Sequence, residues 1–397
     1  MRAPGVERVR VQWKSEEDSK WVSDIIGGFN NDSDFTATIT LPGLHEDTLY
    51  TYATNASHTG FFRTPMLYPK VFSITTSSCI MPFFPYNPTD HSLRIRGLDH
   101  LSRHITQVKT DFILFLGDFI YIDIPQRYGW SLAHYRKAYR HIYASPSWNK
   151  ALQSIPFLHM YDDHEITNDW SAQETGLYEQ AIQPFIHYQH KVNPPPFRAG
   201  ATHFTFDHGD VSFFVMDNRR YRSGPEVIDE QSRTMLGPQQ LADLIYWLKN
   251  EKKWKVLVSS VPFTRNWRGS SDERDSWAGY LFERQQLLEI MWQTEGVIII
   301  SGDRHEHATT LFPSPENKTN VIEFSTSPLS QFFQPLERTY KQVENTDVKV
   351  YTHAWGSSKF GALEFNTMDQ TSLKVHFDLI VDGLKVWKFD WSLSKAI

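Results

Sequence analysis

Four short apolar runs in this chain each end in side chains able to hold a metal ion: Cys79; Asp118 and Tyr121; Asp163 and His164; Asp303 and His305. The run at 112–117, Phe-Ile-Leu-Phe-Leu-Gly, shows no polar alternation, which suits a strand buried on both faces of a sheet. It stops at Asp118, and a carboxylate directly after a buried strand is costly unless a positive charge sits beside it. Open α/β sheets bind ligands at the carboxyl ends of their strands. One such end arises by chance, with Asp118 as a cap and Tyr121 as packing. Four that carry metal-type ligands read as one centre.

The ligands sort by softness. The Cys79 thiolate, the Tyr121 phenolate and the His305 imidazole suit a transition metal, and the phenolate in particular a ferric ion. Asp163 and Asp303 suit Ca²⁺, Mg²⁺ or Mn²⁺, and Asp118 could bridge both ions. Two metals about 3.5–4 Å apart clamp a phosphoryl group and activate a water for in-line attack. His164 follows Asp163 too closely to share its metal in a tight turn, but it could protonate a leaving alkoxide. Asn168 and Arg219 are expected to hold nonbridging phosphate oxygens, Arg219 through its planar fork. An ion pair is the alternative for Arg219 and Arg222. The segment 264–278 is polar and aromatic without a period, and it contains Arg265, Trp267, Arg268, Arg274 and Trp277. Trp277 is expected to cover the metal rim and set substrate choice, the alternative being that these tryptophans pack underneath. His203 and His208 flank a hairpin and do nothing chemical on this reading. His307 is expected in an exposed loop, and His353 at most behind the site.

These residues need elements to position them. Alternation at 9–13 and 49–53, β-branched residues at 36–40 and a run at 60–64 predict short strands, about four where a sandwich needs about seven. Residues 1–65 are therefore expected to be a partial β-sandwich module whose start lies outside this chain. Residues 66–397 are expected to form one catalytic domain. Its strands are predicted at 71–74, 112–117, 155–160, 204–206, 211–216, 254–258, 297–300, 360–365, 373–379 and 385–390. Helical spacing is seen at 93–108, 132–143, 147–153, 174–188, 238–249 and 282–293.

Composition sets bounds. The 397 residues are 40% hydrophobic and 14% aromatic, enough for a large core. A net charge of −6 without a basic block argues against nucleic acid as a partner, other than as a substrate. No apolar run reaches the roughly 20 residues that span a bilayer, and the first residues carry no signal-peptide core. The single cysteine, Cys79, excludes an intrachain disulfide. Sequons at Asn31, Asn55 and Asn317 point weakly to secretion.

The ordered set of a strand ending in Cys79, Gly117-Asp-x-x-Tyr121, Asp162-Asp-His-Glu165, Asp217-x-Arg-x-Tyr-Arg222 and Ser301-Gly-Asp-x-His305 resembles the PhoD-like alkaline phosphatases of the calcineurin-like metallophosphatases. The likeness runs from about residue 64 onward. Gly117-Asp-Phe-Ile-Tyr121 is also similar to the purple acid phosphatase motif with its iron-binding tyrosine. The resemblance implies an α/β fold, a four-layered α/β/β/α sandwich, and an Fe³⁺/Ca²⁺ centre in which Mg²⁺, Mn²⁺ or Zn²⁺ could substitute. It implies that Asp163 stands for the superfamily's Asn ligand and Asp303 for its first His of Gly-His-x-His. Asp275-Ser-Trp-Ala-Gly-Tyr280 resembles a family segment near the active-site mouth. Asn218 in place of Thr, and the charged surroundings Arg304-His-Glu-His307, depart from the family pattern. The expected activity is hydrolysis of phosphate monoesters or diesters outside the cytoplasm. The alternatives are a phospholipase D-like phosphodiesterase and a non-catalytic binding protein on the same scaffold. Oligomeric state is left open.

Overall fold

A computed structural model describes every residue except 83, 85–86, 125–128, 229–230, 268–271, 317, 332–339, 343–345 and 396–397. Arg268 and Asn317, singled out above, lie outside the described residues.

Four strands, β1 (Val9–Ser15), β2 (Val22–Ile26), β3 (Leu49–Thr54) and β4 (Thr59–Arg63), form an antiparallel sheet in the order β2-β1-β3-β4. Val9, Val11 and Trp13 alternate onto one face and pack with Ile26, Phe29 and Tyr50. β2 has no such alternation, because four of its five residues are exposed at the sheet edge. The strand expected at 36–40 is absent; only Thr36 makes a bridge, to Arg2. β-branched residues favour a strand only where the backbone finds a ladder partner; here Ala37 and Ile39 pack on the small core from irregular backbone. The Asp34 carboxylate fastens this segment to the rest, accepting from Arg140 at 2.5 Å and Tyr188 at 2.6 Å.

The remaining chain runs β5 (Val71–Ser77), α1 (Arg96–Gln107), β6 (Phe112–Leu116), α2 (Leu132–Tyr143), α3 (Lys150–Ser154), β7 (Phe157–Met160) and α4 (Tyr178–Tyr188). It continues β8 (Phe204–His208), β9 (Val211–Val215), α5 (Gly237–Asn250), β10 (Trp254–Val258), α6 (Asp272–Asp275), α7 (Leu281–Trp292) and β11 (Val297–Ser301). It closes with β12 (His307–Leu311), β13 (Val321–Thr326), β14 (Val348–His353), β15 (Lys359–Asn366), β16 (Ser372–Val381) and β17 (Leu384–Ser394). These strands build a six-stranded sheet, β17-β16-β15-β5-β6-β7, and a seven-stranded sheet, β14-β12-β13-β11-β10-β9-β8.

Both faces of β6 are covered, which explains its unbroken apolar sequence. Leu114 and Leu116 join a core that also holds Phe213, Val256 and Ile298 of the other sheet. Ile113 and Phe115 face the opposite way, onto Leu98 and Leu101 of α1 and Tyr135 and Tyr139 of α2. On the seven-stranded sheet, Phe214, Leu257 and Ile299 meet Leu244 of α5 and Leu287 of α7. Each such aliphatic side chain, fully buried, contributes about 1.5–3 kcal/mol.

His307 corrects the expectation of an exposed loop. It opens β12, is 0% exposed, and its two ring nitrogens meet the hydroxyls of Thr326 at 2.9 Å and Thr309 at 3.0 Å. Polar residues hide this strand in the sequence, yet they suit it because they satisfy one another.

Burial lowers the pKa of His159 on β7 to about 3, within a cluster of Phe115, Phe119 and Phe157. The unfolded imidazole titrates near 6.5, so the unfolded chain binds the proton first and stability falls as pH drops below that value. Between pH 7 and 5, His159→Phe is expected to lose about 2 kcal/mol less than the parent. Denaturant unfolding at both pH values checks this, and equal losses in the two proteins would refute it.

Candidate metal centre

β5, β6 and β7 pair in parallel, so their carboxyl ends share one edge. Each chain must turn sharply there. Cys79 (φ +65°), Asp118 (+55°), Asp303 (+74°) and His305 (+57°) all adopt left-handed backbone. Such a conformation in a non-glycine residue costs about 1–3 kcal/mol and persists only where its surroundings enforce it. Gly117 and Gly302 let the turns approach: a Cβ on Gly117 would lie 2.6 Å from the Asp162 Cβ, and one on Gly302 would lie 2.4 Å from the Ser78 Oγ. The Asp303 N–H donates to that Ser78 Oγ at 3.0 Å, linking β11 of one sheet to β5 of the other.

Glu165 fixes the turns after β6 and β7. Its buried carboxylate accepts the backbone N–H groups of Asp118 (3.0 Å), Phe119 (2.5 Å), Ile120 (3.3 Å) and Asp162 (2.7 Å). Burial pushes its pKa up to about 8 against the pull of those donors.

The Cys79 Sγ lies 3.3 Å from the Asp118 Oδ2, which the Tyr121 hydroxyl meets at 3.1 Å. That hydroxyl is 3.2 Å from the His305 Nε2. Ligand atoms of Cys79, Asp118 and His305 all lie within 4.8 Å of one another, as do those of Asp118, Asp162, Asp163 and Asp303. Asp118 belongs to both groups, and to a third with Asp163 and His164, so His164 lies within reach of an ion on Asp163, contrary to the expectation from its place next to Asp163. The Asp118 Oδ1 is buried without a hydrogen-bond donor among the described residues; the Asp163 Oδ1 also lacks one, with the Arg219 Nη2 3.4 Å away. A buried carboxylate oxygen without a donor is expensive, and a cation is the partner this donor set fits. Burial, reinforced by Asp118, pushes the Cys79 thiol and the Tyr121 phenol well up, and burial likewise raises Asp118 and Asp303. The Arg304 ion pair does not offset that penalty at Asp303. A metal binding here would release protons.

His164 stacks on Tyr121 with ring centroids 4.2 Å apart, and its Nδ1 meets the Asp123 Oδ1 at 2.8 Å. Burial alone would lower its pKa; Asp163, Asp118 and Asp123 outweigh burial and raise it well above the usual value. The other Asp123 oxygen accepts the backbone N–H of Asn168, whose side chain is exposed at the rim.

Two expected substrate contacts are corrected. Arg219 is 0% exposed. It forks onto Asp162 at 2.6 and 2.9 Å and onto Asp275 at 2.5 and 3.0 Å. With its donors on two buried carboxylates, it supports the ligand turns from below. Trp277 is also 0% exposed, packed on Phe263 at 5.2 Å with its indole N–H on the Ser259 Oγ at 3.2 Å. It is core, because the short helical turn 277–279 folds its ring inward onto the seven-stranded sheet. Asp162, Asp123, Glu165 and Arg304, to which sequence reasoning assigned no role, also belong to this network. The only signal for Asp162 was the adjacent pair of acids, which does not say which one points where.

Trp277→Ala is accordingly expected to destabilise the fold by about 3–5 kcal/mol, as removal of a buried aromatic does. Metal content and the ratio of activities on two substrates should stay unchanged in the folded fraction. A shifted ratio at unchanged stability would return Trp277 to the site.

The model of the PhoD-like phosphatase family matches residues 94–377. Alkaline phosphatase D of Bacillus subtilis (strain 168) is 25% identical, across 51% of this chain and 42% of that protein. The matched part thus spans less than half of the curated relative. A solved structure of PhoD superposes with a TM-score of 0.72 at 17% identity, covering 97% of this chain and 82% of the other. Purple acid phosphatase PPD1 from yellow lupin (Lupinus luteus) seeds gives 0.61 at 14% identity, covering 96% and 69%. These structures share the fold, and the family model covers well over half of the sequence: the chain belongs to the PhoD-like phosphatase family.

Proposed function

We propose that this chain is a metal-dependent phosphoesterase. The observation that carries the reading is Asp118, shared by a thiol–phenol–imidazole group and an all-carboxylate group, with one buried oxygen lacking a donor. Cys79, Tyr121, His305 and Asp118 would hold a soft or ferric ion; Asp118, Asp163 and Asp303, joined by Asp162, would hold a hard ion of the Ca²⁺ type. Mg²⁺, Mn²⁺ or Zn²⁺ are substitutes the donors would accept. When bound, such a pair supplies an activated water and charge stabilisation for the phosphoryl oxygens.

The chain's own groups do the rest. His164, held by Asp123 at 2.8 Å, gives its proton to the leaving oxygen. Asn168, exposed and held through its backbone N–H by Asp123, would contact a phosphoryl oxygen. The helix–sheet–sheet–helix layering belongs to this reading and is supported by one core between the sheets and one under each helical face. The division at residue 65 is supported by the separate sheet and core of the first segment. An extracytoplasmic location is also part of the proposal, resting on the sequons at Asn31 and Asn55; among the described residues no helix is long and apolar enough to cross a membrane.

Metal analysis with an absorption spectrum tests the soft site. A ferric ion on Cys79 and Tyr121 should give a visible charge-transfer band, and Cys79→Ala should lose both iron and colour. A colourless, iron-free protein with full phosphoesterase activity would exclude this site.

Rates on two leaving groups test His164. His164→Ala is expected to slow alkyl phosphates about 10²–10⁴-fold, the usual contribution of a general acid. Aryl phosphates, which leave with less help from a proton, should suffer much less. Equal losses on both would mean that His164 only positions its neighbours.

A further inference from the structure

Three guanidinium groups converge on the buried Asp275 carboxylate: those of Arg219, Arg222 and Arg304. The side chains of the first two are 0% and 3% exposed, and Arg219 is tied down on two sides by Asp162 and Asp275. Arg304 differs in place and in exposure. It sits on the turn between Asp303 and His305, and its side chain is 11% exposed. Its Nε donates to the Asp303 Oδ2 at 2.6 Å, while its Nη2 reaches the Asp275 Oδ2 at 3.2 Å. A tethered cation therefore rests on a carboxylate of the group suited to a hard metal.

Resting on the phosphoesterase reading, we propose that Arg304 is the phosphate-contacting arginine of this site, parked on Asp303 until a divalent cation takes that carboxylate. Two cations on one carboxylate repel and compete for the same lone pairs. A cation held by Asp303 would repel the guanidinium from its Oδ2, while Asp275 would still hold Nη2. A phosphoryl group seated over the carboxylate cluster brings anionic oxygens to the same rim. The planar fork of arginine matches two of them. Arg304 thus takes the role that sequence reasoning gave to Arg219, and the deep placement of Arg219 explains why the two differ.

Two titrations on Arg304→Ala and Arg304→Lys test this. Ca²⁺ is titrated into metal-stripped protein, and inorganic phosphate into metal-loaded protein, each followed by calorimetry. In Arg304→Ala, Ca²⁺ should bind as tightly as in the parent or more tightly, because its competitor is gone. Phosphate should bind at least about tenfold more weakly, with a matching rise in KM, through loss of charge-assisted hydrogen bonds. Arg304→Lys keeps the charge without the fork and should fall between the two. Unchanged phosphate affinity in Arg304→Ala overturns the proposal. So does a parallel loss of Ca²⁺ and phosphate, which would make Arg304 a support for the carboxylates alone. If the alanine variant does not fold, the lysine variant decides by the same comparison: weaker phosphate at unchanged Ca²⁺ supports the proposal, and unchanged phosphate overturns it. A parent protein that binds neither Ca²⁺ nor phosphate overturns the phosphoesterase reading itself, and the Arg304 assignment with it.

Discussion

Asp118, Asp162, Asp163 and Asp303, where strand ends meet, and Asp275, at the end of α6, are all buried. Their mutual repulsion in a low-dielectric interior is the constraint on which the rest of the structure depends. Water cannot screen it, and ionised carboxylates out of water are tolerated only beside cations or dense hydrogen bonds. Arg219, Arg222 and Arg304 supply part of the countercharge from within. They hold Asp275 well below the usual carboxylate range even though burial pushes it upward. Asp303 shares Arg304 with Asp275, and Asp118 has His164 nearby; burial outweighs these charges and drives both carboxyls the other way. The protein thus sorts its acids into a satisfied set that braces the turns and an unsatisfied set that awaits cations.

The scaffold makes this arrangement bearable. Parallel strands deliver three turns to one edge, and the Ser78 hydroxyl ties the β11 turn of the second sheet to them. Four candidate ligands sit in left-handed backbone. Those conformations are held by contacts outside the ligands themselves: Glu165 beneath Asp118, Ser78 beneath Asp303, and the Ser327 hydroxyl, which accepts the His305 N–H at 2.7 Å. Local strain is in this way concentrated at the candidate metal centre and supported by a rigid surround.

The division of labour among the arginines follows from depth. An arginine at the base of the cluster is worth most as a brace, because both faces of its fork find carboxylates in a dry environment. An arginine at the rim can exchange one partner for another. Arg219, on Asp162 and Asp275, is the first case; Arg304, on Asp303 and Asp275 with a more exposed side chain, is the proposed second.

The sequence by itself determined the alternation of strands and helices from residue 71 to 300, and the ends at which ligands gather. That Cys79, Asp118, Tyr121, Asp163, Asp303 and His305 converge was legible because each follows an apolar run, and strand ends in such sheets converge by topology. Strands β12, β13 and β14 were not legible. Their polar residues are satisfied by neighbours distant in sequence, such as the Thr326 hydroxyl that meets His307. The strand expected at 36–40 failed for the converse reason, since propensity without a ladder partner does not make a strand. Only the tertiary structure decided the depth of each side chain. Arg219 and Trp277 carry the right chemistry for a substrate contact, but burial and partnership belong to the assembled fold. Whether a guanidinium braces a carboxylate or meets a phosphate is set by a few ångströms of depth, and residue order alone does not encode that depth in any local pattern.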